Sequence, residues 1–192
     1  MSDDEPVIGG VVLAAGGGTR FGATKQLAPL RGRPLLSYAV EAMLAVPAIS
    51  PVVVVLGHEA AAIRREIDFT GAQVVVCDRW RDGQSASLRC GVEALGDVGA
   101  AVVTLGDQPF ITPQVIAAIV DQFDGRDAVR TTYDGAPGHP VALSRRLLDR
   151  VHELRGDAGF RDLLAGPRVR LFEAAHLCDP TDIDTREELA RR

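Results

Sequence analysis

Residues 11–25 read VVLAAGGGTRFGATK and join an apolar run to a glycine-rich, cationic segment. The run from Val7 to Leu13 is typical of a strand that is covered on both faces. The three glycines after it let the backbone approach an anion without Cβ clashes, and their N–H groups can converge on phosphate oxygens. Arg20 adds a planar fork of donors and Lys25 adds a point charge. The stretch therefore predicts a loop that holds a nucleoside triphosphate.

Two other phosphate-binding loops do not fit this spacing. A dinucleotide fingerprint that starts at Gly16 needs a glycine where Phe21 stands. A Walker A loop that starts at Gly17 needs a lysine at position 23, which is Ala23. The segment thus indicates neither NAD binding nor a P-loop. The alternative to a triphosphate-binding loop is a glycine-rich turn with a purely structural role.

Composition limits the classes of protein to consider. The chain has 192 residues, of which 46% are hydrophobic, so we expect one domain over residues 1–192 with a sizeable core. A formal net charge of -5 argues against a nucleic-acid partner. Three widely spaced cysteines support neither a disulfide framework nor a zinc cluster, which fits a reducing cytoplasm. The sequence contains no apolar run of the roughly 20 residues that a membrane span needs.

Apolar runs and helical spacings alternate along the chain. Besides the first strand, the pattern predicts strands at 51–56, 72–76 and 100–105 and helices at 35–44, 59–67, 85–95 and 113–123. Two shorter strands are expected at 141–143 and 169–172, with an antiparallel orientation left open. This order predicts a three-layer α/β/α, Rossmann-like fold with a mostly parallel sheet, whose ligands bind beyond the carboxyl ends of the strands.

Asp107 follows the strand predicted at 100–105 and stands two residues before a proline. A carboxylate in such a position needs a cation or a hydrogen-bond network. Mg²⁺ is suited to it, because this ion takes one or two carboxylates and completes its shell with phosphate and water. The alternative is an aspartate that accepts bonds from nearby backbone N–H groups.

Residues 13–27 resemble the signature of the MobA-like nucleotidyltransferases, in which a Leu-Ala-(Ala/Gly)-Gly start is followed by Arg, Gly and Lys. Residues 106–109, Gly-Asp-Gln-Pro, resemble the magnesium motif of the same family. The resemblance implies a nucleotidyltransferase fold, Mg²⁺ as cofactor and catalytic roles for Arg20, Lys25 and Asp107. It implies nucleotide binding by Leu13, Ala14, Ala15, Gly16, Gly17 and Gly18.

Two further segments resemble parts of that family. Residues 83–88 resemble a Gly-x-x-x-Ser-Leu segment that recognises base and ribose, which makes Gly83 and Ser87 candidates; serine N-capping of a helix is the alternative. Residues 182–185 resemble the closing Asp-Ile-(Asp/Asn)-Thr segment, so Asp182 is a candidate second metal ligand. Asp184 or Thr185 could instead cap the terminal helix.

The acceptor is assigned by resemblance alone. Residues 138–141, GHPV, and 156–161, GDAGFR, resemble segments of the molybdenum-cofactor members, so the acceptor pocket would include His139, Asp157 and Arg161. A structural loop histidine and a helix N-cap are the alternatives for the first two. Phe160 departs from the small residue of many relatives.

The resulting hypothesis is transfer of CMP from CTP to the phosphate of molybdopterin, with release of pyrophosphate. The acceptor phosphate is ionised at neutral pH and needs no catalytic base. Ala15 resembles the cytidylyl-transferring members, where guanylyl-transferring ones tend to have glycine, and a molybdenum hydroxylase would be the client. The alternatives are a GTP-dependent or sugar-phosphate nucleotidyltransferase, a nicotinamide-dependent pigment reductase and a non-catalytic cofactor carrier.

Overall fold

The computed structural model describes residues 6–18, 20–157, 163–164, 166 and 168–192. The strands in these residues are β1 Ile8–Ala14, β2 Pro29–Leu30, β3 Arg33–Pro34, β4 Ile49–Leu56, β5 Gln73–Val76, β6 Ala100–Leu105, β7 Ala128–Tyr133, β8 Ala136–Ser144 and β9 Val169–Glu173. The α-helices are α1 Leu35–Leu44, α2 Ala60–Glu66, α3 Gln84–Leu95, α4 Pro113–Asp121, α5 Arg145–Leu148 and α6 Arg186–Ala190. Short 3-10 turns lie at Lys25–Leu27, Trp80–Asp82 and Val151–Glu153.

Seven of these strands form one sheet in the order β5-β4-β1-β6-β8-β7-β9. The β5/β4, β4/β1, β1/β6 and β7/β9 pairs are parallel, whereas β8 is antiparallel to both β6 and β7. The predicted α/β fold with a mostly parallel sheet is therefore confirmed.

Successive side chains of the central strands enter two different cores, because a strand presents alternate residues to opposite faces. Val12 packs with residues of α1, α2 and α4 on one face of the sheet. Val11 packs with residues of α3 and α5 on the other face. β1 is thus covered on both sides, as its continuous apolar sequence predicts.

The sequence interpretation missed β7 and left the orientation of β9 open. β7 pairs with β8 through a tight hairpin in which Asp134 and Gly135 both have positive φ, 52° and 79°. β9 lies parallel to β7, with Ala128 opposite Val169. β8 is antiparallel and longer than the three residues predicted. Helix α4 ends at Asp121, two residues before the predicted end.

The parallel strands β1, β4, β5 and β6 all end at one edge of the sheet, where the loops that follow them meet. The C-terminal segment crosses the same edge, because Ile183 N donates to Asp107 O at 3.0 Å and Gln108 Nε2 donates to Pro180 O at 3.0 Å. This edge therefore gathers the glycine-rich loop, Asp107 and the closing segment. In the part of the chain that the structure describes, every helix is too short or too polar to cross a membrane.

Candidate active site

The glycine-rich loop after β1 is a defined turn. Phe21 N donates to Gly18 O at 2.9 Å, and Gly18 has a positive φ of 56°. The buried side chain of Gln26 donates to Ala14 O and to Gly16 O, both at 2.8 Å. The described part of the loop is therefore held by a backbone hydrogen bond and by the side chain of Gln26. Thr19 lies outside the described residues.

Asp107 reaches this loop because Gly106 permits a close approach of two backbones. Gly106 N donates to Leu13 O at 2.9 Å, and a Cβ on Gly106 would lie 2.8 Å from the Cβ of Ala14. A side chain at position 106 would thus separate the end of β6 from the end of β1.

Lys25 forms two ion pairs at this point. Its Nζ lies 2.7 Å from Asp107 Oδ2 and 2.9 Å from Asp184 Oδ1, and only 12% of its side chain is exposed. Burial alone would lower the pKa of Lys25, but Asp107 and Asp184 outweigh burial and raise the pKa above its ordinary value. The ammonium group is therefore fully charged at neutral pH.

Asp184 joins the two cations that sequence analysis assigned to phosphate binding. Its Oδ2 lies 2.8 Å from Arg20, while its Oδ1 accepts from Lys25. Burial would raise the pKa of Asp184, but Lys25 and Arg20 together lower it. The N-cap of α6 is Thr185, which forms a capping box with Glu188, so the Asp184 side chain is not needed as a cap.

Asp182 lies on the same segment, and the residue as a whole is exposed. Partial withdrawal of its carboxylate from water and the nearby charge of Asp107 raise the pKa of Asp182 to about 6. Asp182, Asp184 and Asp107 are thus close enough for their charges to interact. The positive charge of Lys25 offsets part of the repulsion between these carboxylates.

A cavity of about 520 Å³ opens beside this cluster. The residues predicted from the sequence that line it are Leu13, Ala15, Gly16, Gly83, Ser87, Asp107 and Asp157. A second cavity of about 80 Å³ continues toward Ala14, Gly18 and Lys25. The fold therefore brings the glycine-rich loop, the start of α3 and the end of β6 to one concave surface.

Residues 10–175 match the MobA-like NTP transferase domain family. The chain belongs to this family. Its nucleotidyltransferase membership agrees with a loop that presents two cations beside a carboxylate at the carboxyl edge of the sheet. The resemblance identified from the sequence is confirmed at the level of the family.

This MobA-like chain aligns with known proteins over most of its length. It is 33% identical to the nicotine blue oxidoreductase of Paenarthrobacter nicotinovorans, over 98% of this chain and 97% of that protein. It is 35% identical to the 2-C-methyl-D-erythritol 4-phosphate cytidylyltransferase of Ralstonia nicotianae, over 85% of this chain and 65% of that protein. Among solved structures, Rv0371c of Mycobacterium tuberculosis is 32% identical, with a TM-score of 0.84 over 96% of both chains. A complex of Rv0371c with manganese superposes with a TM-score of 0.78, at 30% identity over 96% of this chain and 97% of that one.

Asp157 of this MobA-like chain caps a helix from a distance of 73 positions. Its Oδ1 accepts from Gln84 N at 3.0 Å, and Gly156 O accepts from Ser85 N at 3.1 Å, so both bonds satisfy the start of α3. Gly83 has a φ of +99°, and a Cβ there would lie 2.5 Å from the carbonyl carbon of Gly156. The predicted acceptor segment is therefore anchored on the predicted nucleotide segment.

His139 lies on β8 and is half-buried, with its Nε2 atom withdrawn from solvent. Burial and the charge of Arg130 lower the pKa of His139 to about 4, so the imidazole is neutral at physiological pH. In the described residues, His139 does not line either of the two cavities above. Arg161 and Phe160 lie outside the described residues.

Sequence analysis missed or left unassigned several residues of the site, and one of them is Asp184, which it considered only as a helix cap. Gln26 orders the glycine-rich loop through its amide, and Trp80 and Arg81 line the larger cavity. Trp80 stands between two arginines in the sequence and resembles a surface residue there. Trp80 reaches the cavity because the fold places the turn after β5 against the loop after β1.

Proposed function

We propose that this nucleotidyltransferase of the MobA-like family transfers CMP from CTP to the phosphate of molybdopterin and releases pyrophosphate. The observation that carries the proposal is the cluster of Lys25, Arg20, Asp107 and Asp184 at the glycine-rich loop. Two cations and loop N–H groups beside a cavity of this size suit a nucleoside triphosphate.

The triphosphate would replace the carboxylate of Asp184 on the two cations. Lys25 is largely buried and Arg20 is 74% exposed, so one cation is fixed and the other can move onto a ligand. Arg20 offers paired donors and Lys25 a point charge, which suits phosphate groups at different depths. Both cations would oppose the negative charge that develops on the leaving pyrophosphate.

A divalent cation fits the carboxylates at this edge. Asp107, Asp184 and Asp182 offer hard oxygen donors. Burial and the nearby charge of Asp107 both raise the pKa of Asp182, and a bound cation would oppose both effects. The described residues include no group of three or more metal-ligating side chains able to enclose a metal by themselves. Mg²⁺ needs only one or two carboxylates and takes its other ligands from phosphate and water. When bound, it would neutralise charge on the triphosphate and align the phosphates.

Transfer requires no covalent intermediate on the protein. The acceptor phosphate is already ionised and can attack the α-phosphorus as pyrophosphate leaves in line. The residues have to position the two substrates and neutralise charge, and Lys25, Arg20 and the loop N–H groups do so. The acceptor would enter from the side of Asp157, which lines the same cavity as Asp107.

The choice of CTP rests on Ala15. Its methyl group is buried and it lines the cavity next to Leu13 and Gly16. A methyl group at this position leaves less room for a purine than glycine would. The similarity to a protein named as a cytidylyltransferase is consistent with this choice. A molybdenum hydroxylase would receive the product.

Pyrophosphate release tests the proposal. The purified protein is incubated with Mg²⁺ and molybdopterin, and CTP and GTP are offered in parallel. Release with CTP alone supports the proposal, release with GTP alone moves the chain to guanylyl transfer, and release with neither refutes both. The variant Ala15→Gly should then raise turnover with GTP relative to CTP.

A second candidate is a nicotinamide-dependent reduction of a pigment. The similarity to nicotine blue oxidoreductase favours it, because the alignment spans 98% of this chain. The missing dinucleotide fingerprint in residues 11–25 favours nucleotidyl transfer instead. Consumption of NADPH with nicotine blue, and no pyrophosphate release from any nucleotide, would select the reductase.

A further inference from the structure

Trp80 forms one wall of the larger cavity. It opens the 3-10 turn Trp80–Asp82 between β5 and α3, and it lines the cavity together with Ala15, Gly83 and Ser87. The residue is half-buried, so part of its surface faces the space that a ligand would fill. It is the one tryptophan in the sequence.

The position of the indole is fixed by backbone close to the phosphate loop. A Cβ on Gly57 would lie 2.7 Å from Trp80 Cβ and Cγ, and a Cβ on Gly17 would lie 3.2 Å from Cη2 and Cζ3. The ring of His58 packs at 5.4 Å between centroids with an interplanar angle of 57°. Trp80 is therefore seated beside the loop that would hold the phosphates.

Arg81 covers the indole. Its guanidinium carbon lies 4.5 Å from the ring centroid, and the residue is exposed. The neighbouring Asp82 pairs with Arg79 at 2.8 Å, which leaves the guanidinium of Arg81 on the ring. A cation–π contact at an exposed site is weak, so a ligand can displace it. A planar cation thus already lies over this indole at the cavity wall.

We propose that Trp80 is the stacking surface for the nucleobase, and that Arg81 occupies this surface until the base displaces it. The inference rests on the proposed function, because it requires a nucleotide whose phosphates lie on the loop at Gly17. Every nucleobase has a π face, so Trp80 supplies affinity for the base without selecting it. Selection between CTP and GTP stays with Ala15.

Tryptophan fluorescence of the unmodified protein, excited where tyrosine does not absorb, reports on Trp80 alone, since the chain has a single tryptophan. We expect CTP to quench it and inorganic tripolyphosphate, which has no base, to leave it unchanged. Equal quenching by both ligands would overturn the proposal, because the signal would then report the loop and not stacking. CTP binding in calorimetry without quenching would also overturn it.

Two variants separate stacking from packing. Trp80→Leu keeps apolar volume against Gly57 and removes the flat ring, and we expect its Kd for CTP to rise on the order of tenfold. Its Kd for tripolyphosphate should stay unchanged. Trp80→Phe keeps an aromatic face and should retain most of the affinity for CTP. A similar rise for both ligands in Trp80→Leu would assign Trp80 a structural role only.

Failure of the proposed function gives a different result. If CTP binds and quenches the fluorescence of Trp80 but no pyrophosphate is released, the stacking proposal is supported and the proposed transfer reaction is refuted. If neither CTP nor GTP binds in calorimetry, both proposals are refuted. A planar acceptor on Trp80 would be revealed when CTP and molybdopterin compete for the same quenching signal, and this competition would overturn the assignment to the nucleobase.

Discussion

Asp184 Oδ1 lies 2.9 Å from Lys25 Nζ, although 159 positions separate the two residues. The contact ties the closing segment of the chain to the loop after its first strand. It also places the Asp184 carboxylate, whose charge is balanced by Lys25 and Arg20, where the proposed triphosphate would bind. Substrate binding and the position of the C-terminal segment are therefore linked.

Removal of the Lys25 ammonium should disable the reaction. We expect Lys25→Ala to lower kcat/KM for pyrophosphate release on the order of a hundredfold, since a preorganised donor to developing charge is worth about that much. Arg33→Ala is the matched control, because Arg33 is an exposed cation that pairs with Glu41. Turnover near that of the wild type in Lys25→Ala would contradict the assignment.

Asparagine substitutions should identify the carboxylates that hold the divalent cation. We expect Asp107→Asn and Asp184→Asn each to raise the Mg²⁺ concentration for half-maximal pyrophosphate release on the order of tenfold. Asp182→Asn should raise it less, because Asp184 and not Asp182 shares Lys25 with Asp107. The opposite order would make Asp182 the second ligand, as the sequence motif suggested.

Loss of the Asp157 cap should loosen the start of α3. Asp157→Ala should lower the free energy of unfolding by about 1 kcal/mol, and Asp157→Asn, which keeps an acceptor, should lower it less. Urea denaturation measures both, with Asp149→Ala as a control, since Asp149 is exposed and pairs with Arg145. Equal loss in the two Asp157 variants would argue against the cap.

Two alanine substitutions can separate the steric effect of the close contact between Gly83 and Gly156 from the backbone strain of a positive φ. Gly83→Ala places a Cβ 2.5 Å from backbone, whereas Gly125→Ala shares a positive φ and meets open space. We expect Gly83→Ala to be the more destabilising of the two in thermal unfolding and to raise the KM for the nucleotide. Similar Tm values for both variants would show that the two segments can separate freely.

His139, whose Nε2 atom is withdrawn from solvent, should make stability depend on pH. Its pKa is lowered to about 4 in the folded chain from 6.5, so between these values the unfolded state binds more protons. The contribution is present above about pH 6.5 and is lost as the pH falls toward 4, on the order of 3 kcal/mol in total. His139→Gln should flatten this part of the pH profile of unfolding, and the exposed His152→Gln should not. An unchanged profile in His139→Gln would exclude His139 as the source.

Sequence patterns predicted the strands whose apolar sequence is continuous. The apolar runs of β1, β4 and β6 and the Thr112–Pro113 start of α4 gave positions close to those observed, because both depend on local composition. β7 was missed because its sequence, AVRTTY, carries polar residues and follows a charged turn. Strand orientation at β9 depends on the path of the chain, which local sequence does not encode.

The candidate site was predictable only in part for a related reason. Motif spacing located Lys25 and Asp107, but three aspartates lie between positions 179 and 184, and only the fold determines which one meets Lys25. Ile183 is fully buried, so its neighbours on both sides turn outward toward the cluster. The cap that Asp157 provides joins segments 73 positions apart, and no local pattern encodes it.

Gln26 has a consequence for the role of the glycines. Because its amide holds the carbonyls of Ala14 and Gly16, the backbone between these two residues loses its conformational entropy when the chain folds. A ligand then binds without the cost of ordering this part of the loop, and its own loss of translational and rotational freedom remains. The glycines therefore provide room for a close approach to the ligand, and the loop needs no mobility to bind it.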